Sequence, residues 1–148
     1  MDLNDILGRW IIESWQQEFD DGRVLLPMGD RPDGFIWYGS DGFMSCFVCK
    51  GDRNRFATGH QWDASSAERS RAYDEVLAYA GRFEVLGDQI THSVELSLYP
   101  NWVGGEQHRK ASIVSGRLLL TARLEEGSAQ ARTAKLAWHR AADDPPIS

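Results

Sequence analysis

The sequence predicts an all-β chain, an antiparallel sandwich or barrel with one amphipathic α-helix inserted, and three observations carry that prediction. Turn signals recur at short intervals: Asp21-Gly22, Asp33-Gly34, Asp41-Gly42, Gly87-Asp88, Gly104-Gly105, Gly116 and Gly127. The runs between them are rich in β-branched, aromatic and aliphatic residues, the types that fit a pleated surface. The long crossovers that parallel strands need are absent.

Taken in order, these runs predict strands near 8–19, 23–28, 34–39, 43–49, 81–86, 89–99, 106–115, 117–125 and 132–140. One segment breaks the rhythm. In "DASSAERSRAYDEVLAYAG", Ser65 and Glu68 fit a capping box, the serine covering a free backbone N–H and the glutamate reaching back. Tyr73, Val76, Leu77 and Ala80 follow at i, i+3, i+4 and i+7, and Gly81 supplies a left-handed stop, so a helix over this stretch is expected to pack on an end or flank of the sheet. The polar loop before it, residues 51–63, is a candidate lid, and the 141–148 tail "AADDPPIS" is expected to fray.

Composition narrows the function classes. A chain of 148 residues is expected to be one domain with a core of its own. The net charge of −6 and the lack of a basic run leave nothing to neutralise phosphates, so nucleic acid is not an expected partner. No stretch approaches the roughly 20 apolar residues of a membrane span. The opening "MDLNDILGRW" has no basic n-region, which makes the cytoplasm the expected location. The two cysteines stand in "CFVC", on a predicted strand. There, positions three apart point to opposite faces about 10 Å from each other, which excludes a bridge and favours two buried thiols packing as small apolar groups.

Several of these segments are familiar together. "LGRW", "YGSDGFMS", "YAGRFEV", "ITHSVELSLYPNWVGGEQHR" and the closing "LAWHR" occur in an order that resembles the bacterial and fungal lipocalin-like domain family, from about Ile6 to Arg140. The resemblance implies an antiparallel up-and-down calycin-type barrel of eight to ten strands around a ligand cavity. It also implies that Trp10 of the GxW motif closes the barrel floor and that Arg140 packs over it. About chemistry it implies little, because fold does not fix function.

A barrel of this size holds one small ligand, and interior positions alternate with exterior ones. In 89–99 one face carries Ile90, His92, Val94, Leu96 and Leu98, and the other carries Thr91, Ser93, Glu95, Ser97 and Tyr99. Amphipathic logic places the first face inside; a polar cavity would instead draw in Glu95 and Tyr99. On the next strand Gln107, Arg109, Ala111 and Ile113 are the expected inward set, because His108 and Lys110 are more easily solvated. A buried Arg109 needs a carboxylate, and Glu95 across the hairpin is the candidate. Trp10 and Trp138 read as core, whereas Trp37, Tyr38, Met44 and Trp102 are candidates for apolar ligand contact near a barrel mouth.

The four histidines, His60, His92, His108 and His139, are scattered without metal-ligand spacing, so no metal is expected. GxSxG, phosphate-loop and dinucleotide patterns are missing, and no cofactor is expected. The leading expectation is a barrel that binds a small hydrophobic molecule, with His92, Glu95, Tyr99, Gln107 and Arg109 orienting polar groups. The alternative is a cofactor-independent isomerase, cyclase or lyase acting on a polyketide- or terpenoid-like substrate. In it His92, Glu95, Tyr99 and Arg109 would supply base, acid and an anion clamp. A third class is an interaction protein with a filled barrel. A homodimer is left open.

Overall fold

Nine strands form one antiparallel sheet in the computed structural model, which describes residues 1–142. They are β1 (Gly8–Phe19), β2 (Val24–Leu25), β3 (Pro32–Tyr38), β4 (Phe43–Lys50), β5 (Val76–Leu86), β6 (Gln89–Ser97), β7 (Glu106–Val114), β8 (Arg117–Leu124) and β9 (Arg132–Arg140). Their order is β2-β1-β3-β4-β5-β6-β7-β8-β9, and β1 also pairs with β9, so eight strands close into a barrel with β2 as an extra strand beside β1. A helical turn, α1 (Leu3–Ile6), precedes the barrel, and one helix, α2 (Ser66–Asp74), stands between β4 and β5. Of the tail expected to fray, residues 143–148 lie outside the described residues.

The barrel has two unlike ends. At the first, α1, the β3–β4 turn and the β7–β8 turn come together, and the GxW motif closes the floor. The Trp10 Nε1–H donates to the Ile6 carbonyl at 2.9 Å. The Arg140 guanidinium lies 4.1 Å over the Trp10 ring and donates to the Leu7 carbonyl at 2.6 Å and the Asp5 carbonyl at 2.8 Å. Gly8 is required beneath it: its φ is +111°, and a Cβ there would meet Arg140 Nη1 at 3.1 Å. At the second end the β6–β7 connection, with a single 3₁₀ turn over Pro100–Trp102, bends across the mouth.

Alternation fills the floor half with side chains. Ile12, Ile36, Tyr38, Met44, Phe83, Ile90 and Leu118 are all buried with Trp10 and Trp138. Val48 is also buried, while Cys49, its neighbour on β4, is half-buried. Cys46 is therefore the fully buried thiol expected of both, and neither cysteine is bridged.

The expected helix is shorter than its periodicity suggests. The chain leaves α2 at Asp74, and Val76, Leu77 and Ala80 belong to β5, whose ladder with β4 runs from Phe43↔Arg82 to Cys49↔Val76. A short apolar run fits either period, and here the ladder to β4 decides. Gly81 is therefore not a helix stop. It sits at a register shift between β5 and β6, where a Cβ would come within 1.9 Å of the Ser93 carbonyl oxygen. Half of the capping box forms: the Glu68 N–H donates to Ser65 Oγ at 3.2 Å. The Glu68 carboxylate turns instead to the Ala57 N–H at 2.7 Å, the Thr58 N–H at 3.1 Å and the Thr58 hydroxyl, which ties the 51–63 loop to α2. No α2 side chain is buried, so this helix flanks the mouth without plugging it. Among the described residues no helix is long and apolar enough to cross a membrane.

Candidate functional site

The interior parity of β6 is settled by burial. Ile90, His92 and Val94 point inward, with His92 fully buried. It is held from both sides: the Tyr38 hydroxyl lies 2.7 Å from Nε2 and the Tyr79 hydroxyl 2.8 Å from Nδ1. Both phenols are buried too. The three side chains form a polar layer across the barrel, resting on Phe83, whose ring centroid is 4.8 Å from that of Tyr38.

Above that layer lies an interior cavity of about 130 Å³. Trp15, Ile36, Leu77, Leu120, Ala122, Leu136 and Trp138 give it apolar walls; Tyr79, Gln107 and Arg109 give it a polar side. Trp102 hangs over the mouth, edge-on to Tyr79 with ring centroids 5.5 Å apart. The inward position of Trp15 follows from a bulge between Ile12 and Ser14, which flips the alternation of β1.

The electrostatics of the layer are set by burial. Lack of solvent pushes the His92 pKa down to about 3, and the nearby Arg109 charge pushes the same way. Burial drives the Tyr38 and Tyr79 hydroxyls well above their ordinary range and the Cys46 thiol up to about 12. At neutral pH these groups are uncharged. Arg109 is thus the one charged side chain among the described residues that line the cavity.

The predicted site residues divide. His92, Gln107, Arg109 and Trp102 come together inside the barrel or at its mouth. Arg109 Nη2 donates to Gln107 Oε1 at 3.3 Å, and Nη1 donates to the His108 carbonyl at 3.1 Å. Glu95 does not join them. It is exposed on the outer side, at the register shift opposite Ala80 and Gly81. The β6–β7 register sets Ile90 against Arg109, so the expected Glu95–Arg109 pair does not form, and among the described residues Arg109 has no ion-pair partner. Tyr99 is 44% exposed and leans on Trp102 at 5.9 Å. Trp37 stands on the outer face of β3, 38% exposed, because inward positions there are Ile36 and Tyr38. Tyr38 and Met44 are core residues below the cavity and do not line it. Trp62, in the 51–63 loop, is 80% exposed and does not line the cavity.

Tyr79 is a site residue that the sequence reading passes over, because residues 73–80 are taken there as one helical stretch. The signal was the alternation Leu77, Tyr79, Gly81, Phe83, which has strand period. Among the described residues no group of three or more His, Cys, Asp or Glu side chains gathers as a metal site.

Residues 7–141 match the family model of the lipocalin-like domain. Among solved structures, a lipocalin-like protein from Bacteroides uniformis ATCC 8492 is 16% identical, with 92% of this chain and 98% of that chain covered and a TM-score of 0.48. An uncharacterized protein from Bacteroides eggerthii DSM 20697 is 14% identical, with coverages of 90% and 98% and a TM-score of 0.46. A mutant of the fluorescent protein UnaG is 14% identical, with coverages of 94% and 98% and a TM-score of 0.43. No curated protein matches the chain.

Proposed function

The chain belongs to the lipocalin-like domain family, and from that premise we propose that its barrel takes up a small hydrophobic molecule through the mouth under Trp102. The observation that carries this reading is the cavity itself: the floor half of the barrel is packed solid, whereas the mouth half keeps about 130 Å³ between apolar walls. A cavity of roughly 150 Å³ accommodates benzene. A one-ring ligand therefore fits the resting barrel, and a larger one requires the half-buried Trp102 to swing outward. We place the binder in the cytoplasm, where the free thiols Cys46 and Cys49 stay reduced.

The test fills the space. Ala122→Phe is expected to abolish uptake of ethylbenzene, followed by titration calorimetry, while leaving the far-ultraviolet dichroism of the barrel unchanged. Undiminished uptake in that variant would place the ligand elsewhere.

The buried Tyr79–His92–Tyr38 layer favours a second reading, cofactor-independent acid–base chemistry on a substrate held in the same cavity. Both ring nitrogens of His92 are occupied, so it positions Tyr79, and the Tyr79 hydroxyl would be the catalytic group at the cavity wall. Glu95, outside the barrel, takes no part. Under this reading Tyr79→Phe keeps uptake and loses turnover; a Tyr79→Phe variant with full turnover would remove it.

A further inference from the structure

The cavity is rich in hydrogen-bond donors and poor in acceptors, and the direction of the buried layer adds to that imbalance. Tyr38 is 1% exposed, and His92 is the partner of its hydroxyl among the described residues. If Nε2–H donated to Tyr38, the phenol proton of Tyr38 would be buried with nothing to receive it. An unpaired buried donor is the costly outcome. The arrangement that avoids it has Tyr38 O–H donating to Nε2 and Nδ1–H donating to the Tyr79 oxygen. The Tyr79 O–H is then left to the cavity side, where the protein's own neighbour for it is the Cys46 sulfur, a weak acceptor that an anionic oxygen would displace.

Other donors wait in the same space. Trp15 and Trp138 both line the cavity, and the Nε1 of each is buried without a hydrogen-bond partner among the described residues. Arg109 adds its cation, with no carboxylate beside it. On the acceptor side, Gln107 Oε1 already receives Arg109, and Gln17 Oε1 receives Arg132 Nε at 2.8 Å. No Asp or Glu is among the described residues that line the cavity. A neutral hydrocarbon would leave these donors unanswered.

We propose that the ligand carries an anionic oxygen, a carboxylate or the enolate of a 1,3-dicarbonyl, received by Arg109 and the Tyr79 hydroxyl, with its apolar body against the tryptophan-lined wall. This rests on the reading of the barrel as an interior binder and adds the chemistry of the ligand's head. The indole N–H groups of Trp15 and Trp138 answer further oxygen acceptors on the same molecule. Arginine suits such a head because its planar fork matches a two-oxygen anion.

Three probes of one-ring size test it on the full chain by calorimetry at neutral pH: ethylbenzene, 4-ethylbenzoate as the carboxylate, and dimedone as the enolate. At least one anion is expected to bind about tenfold or more tightly than ethylbenzene, and the better of the two names the source. Arg109→Met is expected to weaken that anion by about ten- to a hundredfold while changing ethylbenzene by less than about threefold. Tyr79→Phe should cost the anion about tenfold, and it decides alone if Arg109→Met fails to fold. Ethylbenzene binding as tightly as the better anion would overturn the anionic head and leave interior binding standing. Failure of all three probes would remove interior binding and the inference together.

Discussion

His92 shows how one buried side chain sets a pH response. Its native pKa is about 3, against an ordinary value of 6.5 that the unfolded chain regains. Below 6.5 the unfolded state therefore binds a proton that the native state refuses. Stability is complete above that value and falls as the pH drops through the window toward 3, by up to about 1.4 kcal/mol per unit. Carboxylates held low, such as Glu18 by Lys135 and Asp20 by Arg123, lose their contribution only below their own ordinary values of 4.5 and 3.8. The interval from 6.5 to 4.5 thus lies above these carboxylates, and comparison with a His92 variant separates this histidine from the other three. Urea unfolding at pH 7 and pH 5 should show the decline in the natural chain and a flattened profile in His92→Phe; equal slopes would mean the ring is protonated in the native state. The aliphatic neighbours of His92 favoured its inward parity, but a polar cavity would have turned the strand the other way, and burial makes the choice. The two phenol partners of His92 come from β3 and β5 and meet it only through the closed sheet, which no local pattern encodes.

At the scale of elements, the instructive stretch is β5. Residues 76–80 satisfy a helix period and a strand period at once, so propensity leaves the choice to pairing. The backbone of β6 passes so close at Gly81 that no side chain fits: an added Cβ would lie 1.9 Å from the Ser93 carbonyl oxygen and 3.0 Å from the Glu95 nitrogen. Gly81→Ala is accordingly expected to cost roughly 1–3 kcal/mol by forcing the two strands apart, read from chemical denaturation. A neutral effect would show that the register shift relaxes freely. Glu95 already faces outward as the neighbour of the inward Val94, and the shift turns Leu96 outward beside it. Strict alternation from Gln89 to Tyr99 misplaces the far end of β6 for this reason: Leu96 and Leu98, predicted inside with His92, are 70% and 40% exposed. Turn chemistry was a better guide, and the hairpins at Gly42, Gly87 and Gly116 lie where their glycines, all at positive φ, predict.

For the whole molecule, closure makes the site. The open-ended reading of a sandwich or barrel is resolved by the β1–β9 seam, which runs from Trp10↔Arg140 to Phe19↔Arg132. The family resemblance implied that seam through Trp10 and Arg140, because their partnership needs the first and last strands side by side. The cavity volume was not legible, since it depends on bulges that redirect Trp15 and on how far the Trp102 turn folds over the mouth. The seam also bears on how fast the chain reaches this state. Ladders such as β3–β4, β5–β6, β7–β8 and β8–β9 join strands linked by short turns, whereas β1 and β9 pair residues from opposite ends of the chain. The entropy of closing that long loop is paid before the seam returns any energy. A circular permutant that links Ala142 to Asp2 and opens the chain at Gly127 turns the seam into a local connection and makes the β8–β9 pairing the distant one. Refolding followed by stopped-flow fluorescence should change in rate if seam closure limits the natural chain, and an identical rate would place the slow step within the hairpins.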